Sequence, residues 1–424
     1  MKAYIALGSN LGDPLSTLEG AAKALSCLPG GVRAAPIFRT KALVPEGAPD
    51  SWNREFSNSV VAIEWNRGPE ELLAKLKSIE SGMGREAAPR WAPRLIDLDL
   101  IALGDEILPS PSCTVPLAEA CGRHRAVHPP EHIAPSLRFP GKGAETILSR
   151  SRSLAQAAPL WMGIFNLTPD SFSDGGTLAS QDSIEARAES YERAGVQAFD
   201  LGAESTRPGA CRVAPSEEWD RLSGALSFLA ARYQGKVFRP WVSVDTRNAW
   251  VAAKALEAGA QIINDVSGCA DPEMPDLLQS TDCQYILMHS ISVPADRERT
   301  LAEAVDPIEA LRIWMEERLE MLTKKGIDLD RIIFDPGIGF GKTAQQSLEI
   351  LRRIQEFHVL PLRILAGHSR KSFMNAWGNR APKERDGFSI GASLALARKR
   401  VDILRTHEAH LHAEAWQSHS DLSQ

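Results

Sequence analysis

WMGIFN (161–166), AFDLGAEST (198–206), WVSVDT (241–246), QIINDVSG (261–268), QYILMHS (284–290), RIIFDPG (331–337), RILAGHSRKS (363–372) and VDILRTHEA (401–409) are eight short apolar runs, each closing on polar residues. Stretches with helical periodicity separate them. Strand-then-helix repeated eight times is the count of a closed (β/α)8 TIM barrel, in which catalytic groups stand where the strands end. The residues that close the runs here are Asn166, Thr206, Asp245, Asn264, His289, Asp335, Lys371 and Arg405. They are the first candidates for chemistry.

Working outward, the chain upstream of the first run has a different rhythm. AYIALGS (3–9) and SNSVVAIEW (57–65) read as strands, and LIDLDLIAL (95–103) as a third. A helix is expected near 14–28. Pro69 opens another that runs to about Met83, with Glu70 and Glu71 in its first turn, where the macrodipole favours acids. This mixed order gives an α+β domain over 1–148. Region 141–158 is polar and rich in small residues, so it is expected to hold a linker, at 149–158. The barrel domain then covers 159–424, with its first strand starting near Leu160 and its last ending near His407. The tail is expected to form a short final helix and then fray.

A chain of 424 residues with 43% hydrophobic and 24% charged residues has the make-up of a two-domain globular protein. The net charge of -6 argues against a general nucleic-acid binder. Cys27, Cys113, Cys121, Cys211, Cys269 and Cys283 form no CxxC pair, which argues against a zinc site or a disulfide framework. Reduced thiols in the cytoplasm are expected. The N-terminal apolar run is too short for a signal peptide, and no stretch is apolar enough to span a bilayer.

Gly337-Ile338-Gly339-Phe340-Gly341-Lys342-Thr343 invites a phosphate-loop reading. The spacing fails, because Pro336 stands where that pattern needs its first glycine. A loop whose backbone approaches a ligand is the better expectation. Lys371, Arg405 and His407 gather cationic groups at the ends of the last two strands. Arg405 and His407 are two apart, so they share a face and suit a pyrophosphate. Surface charge near a turn is the plainer alternative. Asp245, Asn264 and Asp335 follow strongly apolar runs and should lie deep in the barrel mouth. A buried carboxylate there must meet donors, and a heterocycle with an amino group beside a ring N–H supplies two. Asp245 alone could equally cap a helix.

MGIFNLTPDSFSDGG (162–176), ESTRPGA (204–210), VDT (244–246), IND (263–265), DPGIGFGK (335–342), SRKSF (369–373) and RTH (405–407) resemble dihydropteroate synthase, in the right order and over about 159–410. The resemblance implies that Asn166 coordinates a Mg²⁺ that also holds the substrate pyrophosphate, with Arg405 and His407 completing the anion site. It implies that Asp245, Asn264, Asp335 and Lys371 hold the pterin, with Met288 packed on it. Thr206, Arg207 and Ser369 lie on the p-aminobenzoate side. Loops 167–176 and 205–213 are expected to close over the site. A homodimer through the barrel domains is also implied. Two features depart from the family: Glu408 replaces an Asp after the Arg-x-His, and SISVPADRERT (290–300) replaces a stretch that usually contains Gly and Pro.

In the first domain, Asp97 and Asp99 flank Leu98 on a predicted strand. A period of two places both carboxylates on one face, roughly 6.5–7 Å apart at the backbone. Such a pair suits two Mg²⁺ ions bridged by phosphates. Arg85, Arg90, Arg94 and Trp91 precede it, which suggests triphosphate handling. The alternative is a pair of solvent-facing acids on an edge strand.

ALGSNLGDP (6–14) and RWAPRLIDLDL (90–100) resemble 6-hydroxymethyl-7,8-dihydropterin pyrophosphokinase over about 1–148. That resemblance implies two Mg²⁺ on Asp97 and Asp99. ATP would contact Glu80, Trp91, Arg94 and Arg123, and Thr40, Leu43 and Asn58 would line a pterin pocket. Departures occur at Leu117, where the family has His, at Ser112, where it has a basic residue, and at Arg125, where it has an aromatic. RWAPR also replaces RWGPR. His124 or His128 could substitute for the missing His.

The leading reading is therefore a bifunctional folate-pathway enzyme acting on small molecules. The alternatives are a synthase whose first domain is inert, a related pterin-dependent methyltransferase, and a pterin-binding protein without catalysis. The SRKS segment and the Arg-x-His pair argue against the methyltransferase. Intact Asn166, Lys371 and Arg405 argue against a mere binder.

Overall fold

The structure, a computed structural model, describes residues 1–28, 31–42, 44–89, 91–104, 108–110, 113–115, 129–138, 145–153, 158–168, 181–206 and 209–423. Leu43, Arg90, Ser112, Leu117, Arg123, His124, Arg125, His128 and Arg207 lie outside the described residues, as does most of the loop at 167–176. The chain divides into two compact units, Met1–Ala157 with Gly235–Arg239, and Ala158–Gln234 with Pro240–Gln424.

In the first unit, β1 (Lys2–Ser9), α1 (Pro14–Ser26), β2 (Val32–Ala34), β3 (Phe38–Thr40), β4 (Phe56–Glu64), α2 (Pro69–Gly82) and β5 (Asp97–Leu103) follow in order. The sheet runs β2-β4-β1-β5, with β3 also on β4, and every pairing is antiparallel. Each helix thus connects two strands that a third separates. This is the split βαβ arrangement of a ferredoxin-like fold. Its inner face is set by alternation: Ala3, Ile5 and Leu7 of β1 are buried against Leu18, Ala22 and Leu25 of α1 and Leu72 and Leu76 of α2. The two short strands β2 and β3 have too few residues to show a period and so carry no local signal. A further hairpin pairs β6 (Leu108–Ser110) with β7 (Cys113–Val115).

The region expected to be linker begins with a helix, α3 (Ile147–Ser153). Ile147 and Leu148 are buried, and the Thr146 hydroxyl accepts the Ser149 N–H at 3.1 Å. One buried apolar pair and one capping hydroxyl were enough to order what composition marked as a spacer.

In the second unit the eight runs form β8 (Leu160–Asn166), β9 (Ala198–Gly202), β10 (Trp241–Asp245), β11 (Ile262–Asp265), β12 (Gln284–Met288), β13 (Ile332–Asp335), β14 (Arg363–Ala366) and β15 (Ile403–Thr406). All neighbours are parallel and β15 closes on β8. Alternation sorts the side chains. Trp161, Phe165, Phe199, Leu201, Val242, Val244, Phe334 and Leu404 face the helices in one continuous core. Their alternates, Ile164, Asp200, Ser243, Asp245, Asn264, Asp335 and Arg405, therefore point into the barrel.

The tail is not short: its helix, α4 (Ala409–Leu422), has 14 residues and buries Ala409, His412, Ala413 and Trp416. It carries one end of a buried relay. His368 Nε2 lies 3.2 Å from the Ser389 carbonyl and 2.9 Å from Ser393 Oγ, and that hydroxyl lies 2.7 Å from His412 Nδ1. A carbonyl only accepts, so Nε2 of His368 carries the hydrogen and Ser393 donates to His412. Burial pushes His368 down to about 4 and His412 down to about 3.

Both imidazoles thus fold neutral and gain a proton only after unfolding. Their stabilisation is complete above the ordinary histidine pKa and drains away as pH falls toward the depressed values. Unfolding of the barrel between pH 7 and 5 should lose on the order of 2–4 kcal/mol from this pair. His412→Gln should make the loss shallower in calorimetric melts. Comparing the two proteins isolates the histidines from buried carboxylates such as Asp335, whose raised pKa acts in the opposite sense. Parallel pH profiles for wild type and variant would refute the assignment.

Candidate active sites

Arg405 organises the mouth of the barrel. Its Nε donates to Asp200 Oδ2 at 2.5 Å and its Nη2 to Asp245 Oδ2 at 2.8 Å. Asp200 is fully buried and also accepts Asn264 Nδ2 at 3.2 Å. One guanidinium therefore joins groups from β9, β10 and β15, with the amide of β11 held behind them. Asp245 is pushed up to about 7, first by burial and then by Asp200, while Arg405 opposes the rise. Two acids against one cation leave the cluster a net acceptor, so it favours a ligand that brings N–H donors.

On the other side of the cup, Asp335 Oδ1 accepts the Gly337 N–H at 2.7 Å. Burial raises its pKa, and Lys371 and Arg405 pull it back. Lys371 feels Asp335, Arg405 and Asp245, and burial lowers it to about 8. Its Nζ stands 4.2 Å from the centroid of Phe340. Met288, Val266 and Phe340 form a small apolar cluster, flanked by Val293 and Ala295. The cup thus has an acidic hydrogen-bonding wall, a cation and a greasy face. Asn264 Oδ1 is buried with no protein partner among the described residues, which suits an acceptor meant for a ligand.

His407 and Ser369 are brought together: the His407 backbone N–H and Nδ1 lie 3.3 and 3.2 Å from Ser369 Oγ. Asn166 ends β8 in register with Gly202 and follows the interior-facing Ile164. Among the described residues no cluster of three or more His, Cys, Asp or Glu side chains forms a metal cage. One amide oxygen fits a Mg²⁺ that takes its remaining ligands from water and phosphate. Thr206 sits at the rim, where its carbonyl accepts the Ala295 N–H at 3.2 Å.

Packing inside the protein accounts for two glycines of the glycine-rich loop. A Cβ at Gly337, whose φ is +64°, would stand 1.9 Å from the His289 carbonyl oxygen. One at Gly341, with φ +71°, would stand 2.5 Å from Ile291. The glycines let this loop pass the segment after β12. Lys342 is likewise consumed internally: its Nζ donates to His289 O at 3.0 Å and Phe340 O at 3.1 Å and lies 2.6 Å from His289 Nδ1. Burial holds Lys342 well below its ordinary pKa, and burial and Lys342 drive His289 down to about 3. This lysine is a strut rather than a phosphate hook.

Asp200 was missed by sequence reasoning. The signal existed: a carboxylate in the middle of the apolar run AFDLG, two residues from a mouth position, must be buried and must have a partner.

In the first unit, Asp97 and Asp99 are half-buried while Leu98 and Leu100 are buried, so both acids share the open face of β5. Asp99 is raised to about 6 by burial and then by Asp97. Two crowded carboxylates of this kind fit divalent cations. Asp97 Oδ1 accepts Arg85 at 2.8 Å and Oδ2 accepts Arg94 at 3.0 Å. Glu80 is buried, and its carboxylate accepts the Leu98 N–H at 2.8 Å, Lys77 at 2.9 Å and Arg85. It stands behind Arg85. Trp91 takes a left-handed backbone with φ 74°. Asn58 Nδ2 donates to Thr40 Oγ1 at 2.8 Å, so those two residues meet across β3 and β4. Asn10, which was not singled out, accepts the Arg94 N–H at 2.8 Å and donates its own N–H to the Arg94 carbonyl at 3.2 Å. It pins the arginine loop to the end of β1.

The comparisons with known proteins agree with this geometry. The family model described as pterin binding enzyme matches residues 162–407, and that of 7,8-dihydro-6-hydroxymethylpterin-pyrophosphokinase matches residues 4–135. A folate synthesis bifunctional protein of Chlamydia trachomatis is 34% identical over 97% of each chain. Folic acid synthesis protein fol1 of Schizosaccharomyces pombe is 32% identical over 96% of this chain and 57% of its own length. A dihydropteroate synthase of Xanthomonas albilineans, solved with 4-aminobenzoic acid, is 31% identical, covering 64% of this chain and 96% of that one, with a TM-score of 0.57. A Yersinia pestis dihydropteroate synthase, solved in a sulfonamide drug complex, is 32% identical, covering 64% and 97%, with a TM-score of 0.58. With both family models matched in tandem on these two sites, the chain belongs to the bifunctional folate-synthesis enzymes, a 6-hydroxymethyl-7,8-dihydropterin pyrophosphokinase domain followed by a dihydropteroate synthase barrel.

Proposed function

We propose that the barrel cup binds 6-hydroxymethyl-7,8-dihydropterin diphosphate through Asp245, Asn264, Asp335 and Lys371, with Met288 packed on the ring. The observation that carries this is the net-acceptor cluster built on Arg405, Asp200 and Asp245, facing Asp335 and Lys371 across one cup. Asp245, Asn264 and Asp335 offer acceptors to the amino and ring N–H groups. Arg405 and His407 face the leaving diphosphate, and the two acids hold the guanidinium still, so no reorganisation is needed as charge develops. Asn166 would hold a Mg²⁺, which when bound adds positive charge beside the departing oxygens.

The C–O bond to the diphosphate breaks with its electron pair, leaving a cation delocalised over the pterin. The amine nitrogen of p-aminobenzoate, placed by Thr206, Arg207 and Ser369, forms the new C–N bond and releases a proton. An aniline is unprotonated at neutral pH, so no residue is assigned as a strong base. Catalysis rests on positioning and charge.

In the first domain, Asp97 and Asp99 would hold two Mg²⁺, whose part is to neutralise and align the triphosphate of ATP. Arg94, Arg123 and Trp91 contact the nucleotide. Glu80 acts through Arg85. Thr40, Leu43 and Asn58 line the pterin side. The pterin hydroxyl attacks the β-phosphorus of ATP and AMP departs.

We infer a cytoplasmic homodimer joined through the barrels, as the family resemblance implies. No helix among the described residues is long and apolar enough to cross a membrane. The competing reading, an inert first domain, is motivated by Leu117, Ser112 and Arg125. Full-length protein given ATP, Mg²⁺ and hydroxymethyldihydropterin should release AMP, and adding p-aminobenzoate should then yield dihydropteroate. Dihydropteroate formed only from pre-made diphosphate would establish the inert domain instead. Failure of both assays would remove the proposal.

A further inference from the structure

Three loops at the barrel rim meet on one side chain that none of the roles above uses. Arg247 follows β10. Its Nε and Nη2 donate to Glu204 Oε2 and Oε1, both at 2.9 Å, and its Nη1 donates to the Val293 carbonyl at 3.1 Å. Glu204 belongs to the segment after β9 and its Oε1 also accepts the Val213 N–H at 3.0 Å. Val293 belongs to the segment after β12, which is also tied to the first loop by Ala295 N–H to Thr206 O at 3.2 Å. The Arg247 and Glu204 side chains are 13% and 7% exposed, so water screens this pair little. A planar guanidinium can hold a carboxylate with two donors and still reach a carbonyl with a third, which an ammonium cannot do in the same geometry.

From this arrangement we infer that Arg247 is a positioning residue for the second substrate. It fixes the loop that carries Thr206 against the Val293–Ala295 segment, and so holds the amine-side wall of the cup in register. Asp245, two residues earlier in the chain, is held by Arg405, and Asn264 by Asp200, so the pterin wall keeps anchors of its own. The segment after β12 is where this sequence departs from its family. Arg247 thus fastens an unusual loop to a usual one. The inference rests on the reading of Thr206 as the p-aminobenzoate side.

Two measurements on full-length protein test it, with Arg247→Gln and, should that variant fold poorly, Glu204→Gln. Losing hydrogen bonds to a charged group at the wall should raise KM for p-aminobenzoate about tenfold to a hundredfold. The Kd for pterin diphosphate, measured calorimetrically with Mg²⁺, should change less than about threefold. A purely structural role would lower the melting temperature and leave this split unmoved. Hydrogen exchange should speed up together at the Val213 and Ala295 amides, which lie in different loops. Exchange that rises at Val213 alone, or KM and Kd weakening in parallel, overturns the inference. Wild type that forms no dihydropteroate condemns the underlying reading, while the paired exchange response still decides whether Arg247 couples the loops.

Discussion

Asp335→Asn should lower dihydropteroate formation by about 10²–10³-fold while the barrel remains folded. The argument starts from burial. Asp335 ends β13 inside the cup, 4% exposed, with a single backbone donor, Gly337 N–H, on Oδ1. Burial raises its pKa, and the Gly337 N–H, Lys371 and Arg405 oppose that rise. Its remaining acceptor capacity is what a pterin with adjacent N–H groups would fill. The amide of Asn matches the size but replaces one acceptor with a donor, which then faces the ligand's own donor.

Lys371→Gln should produce a comparable loss, because the same ring would lose its cationic partner. The double variant should lose less than the product of the two, since both act on one ligand and on each other. Steady-state rates with pre-formed diphosphate, read beside circular dichroism melts, check this. Near-normal turnover in either single variant would remove the pterin pocket as assigned.

Asp97→Ala should cut AMP release by on the order of 10³-fold and leave the synthase reaction intact. Asp97 is the residue on which two arginines converge, Arg85 from one side and Arg94 from the other, with Asp99 alongside on the same strand face. Its removal strips the carboxylate pair of one member, loosens Arg94 and leaves Arg85 on Glu80, so cation binding and the arginine loop are disturbed together. Mg²⁺ titration of the variant should show weakened binding independently of turnover. Loss of both activities in step would contradict two independent catalytic units. Unaltered AMP release would remove the carboxylate pair from the kinase reaction.

Much of this site could be read from one dimension, because strand periodicity is simple. Asp245, Asn264, Asp335 and Arg405 follow apolar alternation, and a period of two fixes the side of the strand on which each stands. Asp97 and Asp99 were legible for the same reason. Other features have no local signal. Arg405 read as an anion binder, but nothing near it in sequence announced that Asp200 and Asp245, 205 and 160 residues away, hold its guanidinium. The glycines of GIGFG read as making room for a ligand, whereas two of them make room for His289 and Ile291. Lys342, which closes the rejected phosphate-loop pattern, is taken up by His289 and Phe340.

Local pattern was enough for the two architectures, because apolar runs of strand length, strands with one polar face and amphipathic helices each leave their own short-range repeat. It also determined which residue types arrive at the mouth of the barrel. What tertiary structure decided is pairing. Whether a buried charge serves a ligand or a neighbour depends on which distant strand closes beside it. Arg405 and Arg247 are both arginines just past the middle or end of a strand run. Only barrel closure assigns one to the acids at the centre of the cup and the other to the loops at its rim.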